Sequence, residues 1–127
     1  MAIVESIQLK RVQFEVLSGN PPQPQATCEM RAHVRGEGEG RASLVLTARF
    51  FESHPNPPYR LELALEGVFR LEEGETPDTL ARGPGPSVLF PYLKHEVALL
   101  TVRAGLPPMV LPPLRLEAPA SVREGLN

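Results

Sequence analysis

The groups in this 127-residue chain whose types could do chemistry are three histidines, one cysteine and a pair of carboxylates four residues apart. His33, His54 and His95 fall in separate segments, without the paired spacing that metal ligands on one helix or hairpin show, so no metal site is expected. No serine or cysteine lies in a nucleophile motif, and His95 beside Glu96 reads as a helix-surface pair. Glu62 and Glu66 point from the polar side of an alternating segment and could be imagined as an acid and base couple, although solvated strand carboxylates are far commoner. Cys28 alternates in phase with Met30, Ala32 and Val34, which predicts a small core residue instead of a reactive thiol. Gly36-Glu37-Gly38-Glu39-Gly40 has the look of a phosphate loop, but a nucleotide fingerprint needs a helix after it, and the residues beyond Gly40 alternate like a strand. These residues predict a protein that is not an enzyme and takes no cofactor.

The elements that hold these groups are strands first and helices afterwards. From Ile3 to Leu17 the pattern is strand-like, but Ile7 and Leu9 are odd-numbered whereas Val12, Phe14 and Val16 are even-numbered. A bulge near Lys10 and Arg11 would let both halves face one core, because one extra residue restores the alternation. Cys28 to Arg35 alternates next, with His33 on the outward side; Ala42, Leu44, Leu46, Ala48 and Phe50 then make a third apolar row. The glycine-rich link between these two strands predicts a hairpin. Tyr59, Leu61, Leu63, Leu65, Phe69 and Leu71 form the fourth row, interrupted at Gly67, where a bulge or a close approach is expected. Four such strands predict an antiparallel meander with one apolar face to be covered by helix.

Thr76 as cap and Pro77 as first residue begin a short helix that Gly83 ends. Ser87 is a candidate N-cap for a longer helix with Pro91 in its first turn, stopped near Ala104 by Gly105 and the prolines beyond. At 100° per residue this helix carries two apolar stripes, Leu89, Leu93, Val97, Leu100 and Ala104 on one side, and Val88, Tyr92, Leu99 and Val102 on another. A sheet needs only the first stripe, so the second should meet another subunit, a later part of the chain or a ligand. From Leu106 to Pro119 the prolines force an extended path, expected to lie across something as an apolar strap, and residues 120–127 are too few for a substantial element. The whole is α+β: a four-stranded antiparallel meander followed by a short helix and one long helix, in a single domain over residues 1–127.

Composition narrows the partners. A net charge of -2, from 13 basic and 15 acidic residues, gives no electrostatic reason to bind nucleic acid or anionic membrane. One cysteine excludes an intrachain disulfide, and neither a basic, apolar leader nor a run of roughly 20 apolar residues is present, so a cytoplasmic protein with no membrane insertion is expected. Of the 15 prolines, 13 cluster in 20–24, 55–58, 84–86 and after Gly105, where they punctuate the elements.

Taken with the meander, Val12-Gln13-Phe14-Glu15 and Gly67-Val68-Phe69, the blocks Val88-Leu89-Phe90-Pro91-Tyr92 and Arg103-Ala104-Gly105-Leu106-Pro107 resemble the SecB family of protein-export chaperones over most of the chain. The proline-spaced crossover of that family is matched by Pro108-Met109-Val110-Leu111-Pro112-Pro113. The resemblance implies an ATP-independent holder of unfolded polypeptides, a homotetramer built as a dimer of dimers with helices between the sheets. It implies oligomer contacts at Arg60, Leu61, Glu62 and Leu65, to which the second helix stripe adds Leu99 and Val102. Client contacts fall to Phe90, Tyr92, Leu106, Met109, Val110 and Leu111, an apolar set able to bind without reading one sequence. A micromolar client affinity corresponds to about -8 kcal/mol, so several side chains of about 1.5 to 3 kcal/mol each must engage together. The family's further carboxy-terminal helix and tail have no counterpart here and the outer strand face mixes arginine with glutamate, which leaves a contact with the translocation ATPase SecA doubtful. Two alternatives stand beside the general chaperone: a dedicated chaperone of one partner, such as an antitoxin, and a small-ligand-binding domain.

Overall fold

Two bulges decide which way the first strand faces. In the computed structural model, which describes residues 2–17, 28–52, 55–106, 109, 111 and 121–123, strand β1 (Ile3–Val16) pairs antiparallel with β4 (Tyr59–Arg70), and its register shifts between Val4 and Ser6 and again between Leu9 and Arg11. The second shift is the expected phase correction. With both in place, Val4, Ile7, Leu9, Val12, Phe14 and Val16 stand opposite Phe69, Gly67, Leu65, Leu63, Leu61 and Tyr59, and paired residues share a face. Every apolar side chain of β1 from Val4 onward therefore faces the same layer as the core. The extra residues, Glu5 and Lys10, are charged. Glu5 reaches Arg41 at 2.7 Å and Arg70 at 4.0 Å, and Lys10 reaches Glu66 at 3.7 Å.

The four antiparallel strands and two helices expected from the sequence are present. Strands β2 (Cys28–Gly38), β3 (Arg41–Phe50) and β4 run as a meander, while β1 lies beside β4 at the far edge, giving the order β1-β4-β3-β2-β5. The β2–β3 link is a two-residue hairpin, Glu39-Gly40, with φ of 52° and 72°, the left-handed pair that matches strand twist. Strand β5 (Ser121–Arg123), an element not expected from the sequence, adds in parallel to β2. Helix α1 (Pro77–Arg82) begins as expected: the Thr76 hydroxyl accepts from the Thr79 amide, and the Thr79 hydroxyl accepts from the Thr76 amide.

Helix α2 (Pro84–Arg103) starts earlier than expected. Its N-cap is Gly83, Ser87 is its fourth residue with a hydroxyl that donates to the Gly83 carbonyl, and Pro91 lies inside the helix instead of in its first turn. Pro84 and Pro86 are tolerated because the first four amides of a helix have no intrahelical acceptor to lose. The end is as expected. Gly105, at φ 73°, donates to the Val102 carbonyl and Leu106 donates to that of Thr101, the paired closing bonds of a Schellman motif.

The core lies between α2 and the sheet. Leu89, Leu93 and Val97 are buried against Leu44, Leu46, Leu63, Leu65 and Phe69, each worth about 1.5–3 kcal/mol relative to exposure. Thr101 continues this buried line and satisfies its hydroxyl on the Val97 carbonyl at 3.0 Å. Phe14 and Phe51 meet Tyr59 edge-on, at 5.6 and 4.9 Å between ring centres. The proline linker 20–24, His54 and most of the strap expected over 106–119 lie outside the described residues.

Candidate functional site

Helix α2 is apolar on two sides, and the described residues cover only one. Opposite its buried line, Val88, Tyr92, His95, Leu99 and Val102 succeed one another at spacings of four, three, four and three, the seam spacing of a helix that packs on another helix. Tyr92 is 51 % exposed, Leu99 38 % and Val102 61 %; His95 is exposed at the middle of the row and Val88 is half-buried at its start. This is the second stripe expected from the sequence, and the chain does not cover it with its described residues. His95 belongs to this seam as well as standing beside Glu96 on the helix surface, and the spacing that places it there is legible in the sequence.

A second apolar surface, left open by the described residues, was not expected. The apolar row of β1 faces the helix layer, yet α2 packs chiefly on β3, β4 and α1, leaving the edge strand outside its footprint. Leu9, Val12 and Val16 are exposed, while Ile7 and Phe14 are half-buried against the core. Strand order hid this surface: periodicity shows which face a side chain takes, not how far the covering helix extends.

The client-binding candidates divide between surface and core margin. Tyr92 stands outward on the α2 seam. Phe90, Leu106, Met109 and Leu111 are half-buried and pack against the core cluster, with the Lys94 ammonium 5.6 Å from the Phe90 ring centre. Val110 lies outside the described residues. The oligomer candidates divide further. Leu99 and Val102 are on the seam, Arg60 is exposed on the outer sheet face, and Leu61 and Leu65 are each 2 % exposed within the chain's own core.

Glu62 is held between two guanidinium groups, Arg11 and Arg49, each at 3.4 Å, and Glu66 pairs with Lys10. These partners tie the two carboxylates into cross-strand ion pairs. Glu62 also lines a surface hollow of about 230 Å³ on the outer sheet face, whose rim includes Gln13, Arg49 and Arg60. A second hollow of about 70 Å³ lies between Glu29, Arg31, His33 and Thr47. Cys28 is only half-buried, at the start of β2, where full burial was expected; His33 is on the outer face and also half-buried. Among the described residues no group of three or more acidic, histidine or cysteine side chains could hold a metal, and no helix is long and apolar enough to cross a membrane.

The family model described as preprotein translocase subunit SecB matches residues 4–118. The chain belongs to the SecB family. The protein-export protein SecB of Chromobacterium violaceum is 31 % identical to this SecB-family chain over 125 residues, covering 91 % of it and 82 % of the relative. That of Dechloromonas aromatica is 29 % identical over 124 residues, covering 90 % and 80 %. In structure, the chain is similar to a SecB-like chaperone of Mycobacterium tuberculosis solved in complex with a peptide from the HigA1 antitoxin, at a TM-score of 0.71 and 21 % identity, covering 92 % of this chain and 93 % of that one.

Proposed function

We propose that this SecB-family chain is an ATP-independent chaperone that holds non-native polypeptides on apolar surface, with protein export as its setting. The observation that carries the reading is the uncovered apolar row of α2 at Tyr92, Leu99 and Val102, beside a half-buried margin of Phe90, Leu106, Met109 and Leu111. An apolar surface without a directional hydrogen-bond array selects for exposed hydrophobic side chains and not for one sequence, which suits clients that share only the lack of a fold. The chain works in the cytoplasm, without cofactor, metal or catalytic residue. Arg60, Glu62, Leu99 and Val102 serve contacts between copies in a dimer of dimers. Leu61 and Leu65 support such contacts from beneath, by fixing the strand that carries Arg60 and Glu62.

Added in molar excess to several unrelated denatured proteins, the chain should delay both their refolding and their aggregation, with no change on adding ATP. No effect on any of them overturns the reading. A dedicated chaperone of one partner is the second reading, favoured by the likeness in fold to a SecB-like chaperone solved with an antitoxin peptide. Copurification separates the two: one stoichiometric partner supports the dedicated role, a mixture of precursors the general one.

A further inference from the structure

The exposed row of α2 cannot hold a client and meet a second copy at once, so its two uses exclude each other. Its middle residue, His95, is the one member whose side-chain type changes charge near neutrality. Val88 and Val102 lie seven residues to either side of His95, with Tyr92 three before it and Leu99 four after. A two-fold contact is self-complementary, each patch meeting the same patch on the other copy. If two such helices run parallel, every residue of the row meets its own counterpart; if they run antiparallel, only an axis at the midpoint leaves neither end uncovered. Both arrangements bring the two His95 side chains together, between Tyr92 and Leu99 of each copy.

His95 is exposed in the single chain, and among the described residues its side chain makes no hydrogen bond or ion pair. Helix α1 and strands β3 and β4 pack on α2, and no charged group of theirs among the described residues pairs with it. On α2 its charged neighbours are Lys94, held 5.6 Å from the Phe90 ring centre, Glu96, which is half-buried, and Arg103 at the helix end. Lys94 and Glu96 each stand roughly 100° round the helix from His95, on opposite flanks and with opposite charge, so their effects on an imidazolium oppose each other. A second copy brings the same groups and the second His95. When the seam closes, water leaves it; neutral imidazoles are readily enclosed there, whereas two imidazolium ions side by side among apolar groups repel and lose hydration. We propose that His95 makes the contact between copies pH-sensitive: the contact is closed around neutrality, and protonation on acidification opens it and returns Tyr92, Leu99 and Val102 to clients. This rests on the reading of Leu99 and Val102 as contacts between copies, and adds the condition that governs them.

The test is a dilution series of the full chain by light scattering at about pH 7.5 and about pH 5.5, a span that titrates imidazole and leaves carboxylates ionised. Circular dichroism at both pH values separates dissociation from unfolding. The dissociation constant of the parent should rise about tenfold or more at the lower pH. His95→Gln, which stays neutral, should assemble equally at both; His95→Lys, which stays charged, should assemble weakly at both. His33 and His54 remain in every variant, so a pH response that survives His95→Gln belongs elsewhere and overturns the inference. A parent constant that stays level or falls on acidification overturns it too. Failure of the underlying reading looks different: Leu99→Ser with Val102→Ser then leaves the assembly intact at the higher pH, or the parent is a monomer there, and the pH response falls with the contact. If the serine pair breaks the assembly and acid does not, the contact stands and the role of His95 is refuted.

Discussion

Leu89 of α2 rests on the bare backbone of Gly67 in β4, so closely that a Cβ built on Gly67 would stand 2.9 Å from Leu89 Cδ2 and 2.8 Å from the Phe69 ring. Here the long helix lies close against the sheet, and the contact helps set the depth at which the buried line of α2 sits. Gly67→Ala should therefore overpack the interface and lower stability by about 1–3 kcal/mol. Gly36→Ala is the control: its nearest neighbour is Pro77 Cγ at 3.7 Å, an ordinary contact, and the change should stay within about 0.5 kcal/mol. Urea unfolding of the two variants beside the parent checks both, and equal midpoints for all three would contradict the close approach.

The bulge at Glu5 gives the sheet an acid-sensitive tie. The hydrogen bond from the Arg41 guanidinium lowers the Glu5 carboxyl below its ordinary value of 4.5; desolvation opposes it in part, and the charges of Arg41 and Arg70 add lesser downward pushes. A depressed folded value means that the contribution is complete above the unfolded value and is lost as the pH falls through the folded one. Glu5→Gln should lower the urea midpoint at neutral pH, and the gap to the parent should close on the acid limb. A gap that persists at every pH would mean that the glutamine acts through packing and not through charge.

The sequence exposed the fold more fully than the surfaces. Alternation located the long strands, Thr76 with Pro77 marked one helix start, and Gly105 marked the end of α2, because each signal is local and each acts through a backbone constraint. Ser87 misled for a related reason: it is a good cap by type, but nothing local forbids a helix from beginning at Pro84, where missing amides cost no bond. The seam on α2 could be seen in the spacing of Tyr92, Leu99 and Val102. The bare row on β1 could not, since Leu9, Val12 and Val16 read as core until β1 is known to be an edge strand. The pairing of β5 with β2 depends on contact between residues almost ninety positions apart, which no local pattern encodes.

Tyr59 places a phenol where it is not rewarded. The side chain is 1 % exposed, and its hydroxyl has no hydrogen-bond partner among the described residues. Burial, with a smaller contribution from nearby Cys28, pushes its pKa up to about 12 from 10.0. A raised folded value leaves stability unaffected below pH 10 and withdraws it as the pH climbs from there through about 12. Tyr59→Phe should thus raise stability at neutral pH by about 1 kcal/mol, since an unpaired buried hydroxyl is removed without loss of ring packing. It should also flatten the alkaline limb of a pH-dependent unfolding series. A lower midpoint at neutral pH would mean that the hydroxyl has a partner.

His95 interrupts an otherwise apolar helix seam, and replacing it tests self-association apart from the stability of the chain. It stands between Tyr92 and Leu99 with its neighbours uncovered, so within one copy its replacement disturbs no packed core. If the seam meets a second copy, His95→Leu completes the row and buries one more large apolar group, worth about 1.5–3 kcal/mol, which corresponds to a tenfold or greater fall in the dissociation constant. Leu99→Ser with Val102→Ser should act in the opposite sense and shift the assembly toward smaller species, while unfolding of the dissociated chain stays within about 0.5 kcal/mol of the parent. Light scattering across a dilution series reads both directions at once. Identical mass profiles for the parent and both variants would mean that the seam is not where copies meet, leaving that row to clients alone.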